Sequence, residues 1–370
     1  MQKLPIDIEY MKRVLAEMLA IPSPSGYTDR IVHYVVRELE RLGLQPTLTR
    51  RGGIRAELRG KVSEPDCAIV AHLDTIGGMV KRLKSNGRLA IAPIGTWSAR
   101  FAEGGRVTIF TDAQGPKRGT VLPLKASGHT FNEEIDTQPV SWDNCEIRTD
   151  DFCVDEEELS KEGYKVGDFV AFDPMTEFTP SGFVNSRHLD DKAGCASLLA
   201  AVKTVVDHQV ELPVNCNILF TITEEIGTGA SSVLHGDVAE MVAIDNATPA
   251  PGQNSRERGV TVAMMDSSGP FDYHLTHKLL DICIQHDIEY QRDVFNYYRC
   301  DAASAIEAGN DLRVALVCFG ADASHGYERT HLLSLRALAE LLVLYMQSGP
   351  TAYRDRDSLA PLGDFPTQES

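Results

Sequence analysis

The sequence predicts an α/β protein built on a helix-flanked, largely parallel mixed sheet, with a small β-barrel domain inserted into it. Three observations carry this. Apolar runs such as Asn217–Phe220 show no alternation, as strands covered on both faces do, and they alternate with segments of helical period. From Gly77 to Phe178 the texture changes to short strand-like pieces separated by Gly and Pro turns, the pattern of a small barrel or sandwich. After Asn185 the strand–helix alternation returns, so the β segment reads as a second domain spliced into the first. The expected boundaries are 1–76 with 179–348 for the α/β domain and 77–178 for the insert. A Pro-, Asp- and Arg-rich tail, 349–370, is expected to be poorly ordered.

Ile8, Met11, Val14, Leu15, Met18 and Leu19 recur at helical spacing within Asp7–Ile21, and Pro22 ends that helix. Ser23–Gly26 is a turn. A second amphipathic helix passes through Ile31, Val35, Leu39 and Leu42 to Gly43, which suits a C′ position. Short strands are expected near 46–50, at 54–58 and at 67–71. The insert holds strand-like pieces at 89–94, 106–110, 119–124 and 168–172, with one short helical piece near 156–163. Beyond it a helix covers 191–206, the apolar strand from Asn217 follows, and a short helix lies near 229–234. Strands at 241–245 and 260–264, a helix at 271–286 and a strand at 288–292 come next. A helix from Asp301, a strand at 312–319 and a helix at 333–346 complete the pattern.

The 370 residues are 43% hydrophobic and 24% charged, enough for two domains and a sizeable core. With 53 acidic against 36 basic residues the formal charge is −17, which argues against nucleic acid or an anionic membrane as partner. No segment approaches the ~18 uninterrupted apolar residues of a membrane span. The acids near Met1 read as mature structure rather than an export signal. None of the eight cysteines forms a Cys-x-x-Cys pair; Cys195, Cys216, Cys283 and Cys318 sit in apolar surroundings, so the expected compartment is the reducing cytoplasm.

The stretch Asn217-Ile-Leu-Phe-Thr-Ile-Thr-Glu-Glu-Ile-Gly227 runs a buried strand straight into Glu224 and Glu225, at the sheet rim where open α/β folds hold ligands. Alone, such a pair reads as a solvated strand end. Other metal-ligand types arrive at the same rim, however. His72 and Asp74 follow 67–71, Asp190 opens a helix, Asp245 ends a strand, and His325 lies in the loop after 312–319. Singly these are ordinary: His-x-Asp as a satisfied polar pair, Asp190-Asp191 as a helix N-cap, Asp245-Asn246 as a turn. Together, two His and three carboxylates suit a pair of Zn, Co or Mn ions, with Asp190 placed to bridge. Asp74 is placed to accept the other ring N–H of His72, and Glu224 remains as an unligated carboxylate of the kind a general base requires.

These motifs resemble the M42 metallopeptidases, the glutamyl and tetrahedral aminopeptidase group, from the N-terminal helix to about residue 346. The match rests on Ala71-His-Leu-Asp-Thr-Ile-Gly77, Leu189-Asp-Asp-Lys-Ala-Gly-Cys195, Thr223-Glu-Glu-Ile-Gly227 and Ala243-Ile-Asp245. In the insert, Gly119-Thr-Val with His129, and Lys165-Val-Gly-Asp-Phe-Val170, resemble landmarks of the family's β domain. The resemblance implies a zinc-exopeptidase-like fold and two divalent metal ions per subunit, zinc first, cobalt or manganese otherwise. One would be held by His72, Asp190 and Asp245, the other by Asp190, Glu225 and His325. Glu224 and Asp74 would be the catalytic pair, with Glu224 activating the metal-bridging water, and single N-terminal residues would be removed from short peptides. It also implies a homo-oligomer, from a dimer up to a dodecamer.

The last loop departs from the family pattern: Ala323-Ser-His-Gly-Tyr-Glu328 stands where Arg-Tyr-Ile-His-Ser-Pro and an acid are usual, which leaves His331 as an alternative ligand. The variant loop resembles a bacterial branch linked to the osmolyte N-acetylglutaminylglutamine amide. Lys192, in place of the commoner Arg, is expected at a solvated position, and His188 either at the surface or reaching the cleft. Two other functions compete: a metal-dependent amidohydrolase or deacylase of a blocked amino acid or dipeptide, and a non-catalytic binding protein retaining the fold. A glucanase is disfavoured, because adjacent Glu224 and Glu225 cannot flank a glycosidic bond from opposite walls.

Overall fold

The computed structural model describes residues 1–368. The chain opens with α1 (Ile8–Leu19) and α2 (Asp29–Arg41), then β1 (Thr47–Leu48), β2 (Ile54–Leu58) and β3 (Gly60–His72). α1 buries Met11, Val14, Leu15, Met18 and Leu19, the face its spacing marks, each contributing about 1.5–3 kcal/mol of transfer free energy. Its first turn is closed by Asp7, whose carboxylate accepts the Tyr10 N–H at 2.9 Å.

The insert is a closed antiparallel barrel. Its strands are β4 (Gly77–Leu83), β5 (Leu89–Ile94), β6 (Arg106–Thr111), β7 (Gly115–Pro123), β8 (Cys145–Thr149) and β9 (Phe169–Phe172), neighbours in the order β4-β5-β8-β7-β6-β9. The short helices α3 (Gly128–Phe131) and α4 (Glu134–Thr137) lie between β7 and β8, and α5 (Glu156–Lys161) between β8 and β9. Val80, Ile91, Val107, Ile109, Val121, Ile147 and Val170 fill the barrel as a core of its own. Closure leaves no unpaired strand edge.

The chain then returns to the main sheet through β10 (Glu177–Phe178), β11 (Phe183–Ser186), α6 (Leu189–Asp207), β12 (Leu212–Thr221) and β13 (Val238–Ala247). β14 (Val260–Asp266), β15 (Gly269–Pro270), α7 (Tyr273–Gln285), β16 (Tyr290–Val294), α8 (Asp301–Glu307), β17 (Arg313–Gly320), β18 (Glu328–His331) and α9 (Leu332–Met346) follow. The nine-stranded sheet runs β1-β2-β12-β3-β13-β17-β14-β15, with β16 beside β14. Its central pairs β12–β3, β3–β13 and β13–β17 are parallel, while β2–β12 and β14–β17 are antiparallel. The predicted mixed, largely parallel architecture and the closed barrel are both present.

The absence of alternation in the central strands has a direct cause. On β3, Cys67, Ile69 and Ala71 enter the core formed with α1, α6 and α9, while Ala68 and Val70 enter a second core with Ala302 and Ala305 of α8. α6 is buried almost along its whole length. At Gly194 a Cβ would lie 2.1 Å from Asp191 Oδ1 and 2.6 Å from Ile244 Cγ2, so only glycine lets α6 approach the sheet this closely. β11 and β18 were not anticipated; with β10 they form a separate small sheet that ties residues 183–186 to 328–331. From Gly349 the chain is held to the main domain: Lys278 Nζ donates to the Gly349 carbonyl, and Arg313 pairs with Asp355 at 2.6 Å. Residues 369 and 370 of the expected tail lie outside the described residues.

Candidate metal centre

Strand register assembles the centre. On β12, Thr221 pairs with His72 of β3, so Glu224 and Glu225 follow just beyond that level. Ala243 pairs with Val70, which carries Asp245 of β13 to the height of His72. Asp245 in turn pairs with Cys318 of β17, whose loop brings His325 to the same rim. Asp190, at the start of α6, enters between them, and its peptide bond to Asp191 is cis.

Two groups of ligand-type atoms result, each with all its atoms within 4.8 Å of one another: His72, Asp190 and Asp245, and Asp190, Glu225 and His325. Asp190 belongs to both. Its Oδ1 lies 3.1 Å from His72 Nε2, and its Oδ2 lies 3.3 Å from His325 Nε2, which is also 3.3 Å from Glu225 Oε2. Glu224 stands beside the first group, its Oε2 3.8 Å from His72 Nε2. His331 is elsewhere: it caps α9 through the Leu333 N–H and faces the Ser181 carbonyl, stacked edge-on with Phe183.

The electrostatics are those of a cation site. Burial pushes the Glu224, Glu225, Asp245 and Asp191 carboxyls above the ordinary range, and their mutual repulsion adds to it against the pull of the histidines. Asp190 goes the other way: burial would raise it, but its contacts with His325 and His72 hold it low. His72 is raised despite burial, by Asp190 and the charges of Glu224 and Asp191, and His325 is likewise pushed up to about 12 against burial, chiefly by Glu225 and Asp190. Buried like charges at this density call for positive charge between them. Imidazole nitrogen with carboxylate oxygen is the donor chemistry of zinc, cobalt or manganese, so these residues fit divalent cations.

The surrounding contacts orient the set, partly by routes the sequence hid. His72 Nδ1 lies 3.0 Å from the Asp74 main-chain carbonyl, and the Asp74 carboxylate is 3.7 Å away. That carboxylate instead accepts Ser25 Oγ–H at 2.5 Å and the N–H groups of Glu224 and Glu225 at 3.1 and 3.3 Å, holding the turn that bears both glutamates. Asn246 donates its amide to Asp190 Oδ2 at 2.8 Å and to Asp245 Oδ1 at 3.1 Å. Glu328, buried, accepts the Leu189, Asp190 and His325 N–H groups at 2.6, 3.2 and 3.1 Å, binding two ligand-bearing segments to one carboxylate. Asp301 accepts Thr221 Oγ1–H at 2.6 Å and the Ala230 N–H at 2.8 Å beneath the same turn. For Asn246, its adjacency to Asp245 was the available signal. Glu328 was marked only as the acid that closes the variant loop, and Asp301 had no signal, since an isolated acid looks like surface.

Two expectations are corrected. Lys192 is not solvated: it is 1% exposed, its Nζ donates to the Ile21 carbonyl at 2.7 Å, and burial pulls the ammonium down to about 7. The reason is that the loop after α1 covers the start of α6. His188 is neither at the surface nor among the residues lining the cleft. It sits buried at φ 67°, its Nε2 against the Phe172 carbonyl of the barrel, and burial pulls it down to about 3.

A sequence profile described as M42 glutamyl aminopeptidase matches residues 52–341. The chain belongs to the M42 glutamyl aminopeptidase family. It is thus a hydrolase of the metallo-aminopeptidase class, and membership of the family implies a divalent metal. Among curated relatives, "Putative aminopeptidase YhfE" of Bacillus subtilis is 37% identical over 335 residues, covering 90% of this chain and 96% of its own. TET1 peptidase of Pyrococcus horikoshii, described as assembling into a tetrahedron or a large octahedral shell, superposes with a TM-score of 0.79 at 25% identity over 91% of this chain and 99% of its own. The TET aminopeptidase from a marine-sediment thaumarchaeote shares the fold, with a TM-score of 0.83 at 17% identity over 91% and 96% of the two chains.

In this M42 chain a cleft of about 910 Å³ opens onto the centre. Asp190, Glu224, Glu225, Asp245 and His325 form its floor, and Gln253, Tyr297 and Arg299 belong to its walls. Among the described residues no helix is long and apolar enough to cross a membrane.

Proposed function

We propose that the chain removes N-terminal residues from short peptides, using two divalent cations held by His72, Asp190 and Asp245 and by Asp190, Glu225 and His325. Zinc is the first choice, cobalt or manganese the alternatives. When bound, such ions supply Lewis acidity and lower the pKa of water towards ~7. The chain's own residues do the rest. Asp190 holds the two groups in register. Asp74 fixes the turn carrying Glu224 and Glu225 through their N–H groups. Glu224 takes a proton from the attacking water at its side-chain carboxylate and passes it to the leaving amine.

The observation that carries this reading is Glu224 itself. It is a carboxylate on the floor of the cleft, outside both ligand groups and 3.8 Å from His72 Nε2. A structural acid in that position would have a donor satisfying it; among the described residues no hydrogen bond goes to the Glu224 carboxylate. Metal analysis of the purified protein with Glu224→Gln on a panel of aminoacyl and acetyl-aminoacyl substrates tests it. Hydrolysis of the free-amine substrates is expected, with kcat down about 10²–10⁴-fold in the variant at unchanged metal content. A variant of full activity overturns the role of Glu224, and cleavage of acetylated substrates alone favours the amidohydrolase.

Two further properties belong to the proposal. All eight cysteines are free, in keeping with a reducing cytoplasm. The assembly described for the Pyrococcus horikoshii TET1 peptidase supports a homo-oligomer here, from a dimer up to a dodecamer.

A further inference from the structure

The two ligand groups are braced from different domains. His72 and Asp245 of the first take orienting contacts from the α/β domain: His72 Nδ1 faces the Asp74 carbonyl, and Asn246 donates to Asp245. Glu225 and His325 of the second are met by the segments on either side of β4 and β5. The Ile76 N–H, just before β4, donates to Glu225 Oε1 at 3.1 Å, while the Ile76 side chain belongs to the barrel core. Beyond β5, the Thr96 carbonyl lies 3.0 Å from His325 Nδ1. A carbonyl oxygen only accepts, so this contact commits a hydrogen to Nδ1. Nε2 is then the nitrogen left to face Asp190 and Glu225, with a carboxylate oxygen of each 3.3 Å away.

The same stretch of the barrel touches the His325 loop again. The Phe101 ring, in the short 3-10 turn Ala99–Phe101, lies against Gly326, where an added Cβ would come within 3.1 Å of Phe101 Cδ1. Trp97 anchors the stretch from inside the barrel. It is buried, its indole N–H donates to the Gly77 carbonyl at 3.2 Å, and its own carbonyl accepts the Trp142 indole N–H at 3.2 Å. Its ring stands edge-on to those of Trp142 and Phe172, with centroids 4.7 and 5.0 Å away. The loop it meets has reason to need such support: Ala323 and His325 both hold left-handed backbone, at φ 58° and 64°.

We propose that residues 95–101 of the inserted barrel belong to the metal centre, with Trp97 and Phe101 as positioning residues that seat His325. The barrel thereby governs cation binding at Asp190–Glu225–His325 and not at His72–Asp190–Asp245. This rests on the cation reading of the centre given above. Trp97 acts at a distance, by holding Thr96 where its carbonyl meets Nδ1. Phe101 acts by contact, filling the space beside Gly326 so that the loop cannot swing away from Asp190.

The test titrates full-length, metal-stripped protein with Zn²⁺ by calorimetry and with Co²⁺ by visible absorption. Wild type is compared with His325→Ala, Trp97→Phe, Phe101→Ala, Phe101→Tyr and the double variant Phe101→Ala with His325→Ala. His325→Ala is expected to lose one cation-binding step, which identifies the step that belongs to the second group. Trp97→Phe, which loses the indole N–H, and Phe101→Ala are expected to weaken that step about 10–100-fold and to leave the other within about twofold. Phe101→Tyr, which keeps the ring, is expected to bind as wild type does. In the His325→Ala background, Phe101→Ala is expected to change nothing further, and circular dichroism of every variant to match wild type. If Trp97→Phe and Phe101→Ala bind as wild type, or weaken both steps alike, or if Phe101→Ala weakens the step that survives His325→Ala, this inference is overturned and the cation reading stands. If wild type shows no cation-binding step that His325→Ala removes, both fall.

Discussion

Glu328 shows how much of the centre depends on a residue outside both ligand-type groups. Its carboxylate accepts three N–H groups, from Leu189, Asp190 and His325, and so joins the first turn of α6 to the loop after β17. Replacing it by Gln sets an amide donor against those donors, and the strain falls on the segments bearing Asp190 and His325. Glu328→Gln is expected to retain less metal after dialysis, with the group Asp190–Glu225–His325 weakened about 10–100-fold and His72–Asp190–Asp245 less affected. Metal content and calorimetric titration check this; wild-type retention at both would sink it. Legibility at this scale is uneven. The meeting of His72, Asp190, Glu225, Asp245 and His325 at one rim was readable because each lies at a strand end or in the loop or helix start next to the sheet rim. Glu328 stood out only as the acid closing the variant loop; its role was not legible, because it rests on three backbone donors from distant segments. Lys192 was misplaced for a related reason: its solvation depends on a loop 171 residues earlier in the chain.

At the scale of single elements, α1 offers a clean measurement. Its N-cap, Asp7, is held below the ordinary aspartate value of 3.8, first by the Tyr10 N–H and then by Lys203. Because the folded value is the lower one, the cap's contribution is complete above pH ~4 and is lost as pH falls through the folded value. Asp7→Ala is expected to destabilise by about 1 kcal/mol at pH 7, with the gap from wild type closing towards pH 2. Denaturant unfolding at several pH values would show it, and a gap independent of pH would refute the cap as its cause. Such a helix was legible from its spacing, as was β2, because one-faced burial writes a period into the chain. β18, Glu-Arg-Thr-His, was not legible, since a short polar strand gains its partner β11 only from the fold.

At the scale of the whole molecule, the proposed oligomer is a question of mass. Size-exclusion with light scattering is expected to give a multiple of the 40.6 kDa chain, and a stable monomer at micromolar concentration would refute it. The barrel carries its own core, joins the main domain at both ends and reaches the metal rim, where the Thr96 carbonyl lies 3.0 Å from His325 Nδ1. By itself, the sequence determined the α/β class, the inserted barrel and the residue types at the sheet rim, because burial on one or two faces and ligand chemistry leave local marks. Only the tertiary structure decided which of those residues meet: His325 rather than His331, the carbonyl rather than the carboxylate of Asp74 beside His72, and Glu328 beneath them. Distances between segments more than a hundred residues apart are set by strand register and loop packing, and neither leaves a local periodicity to read.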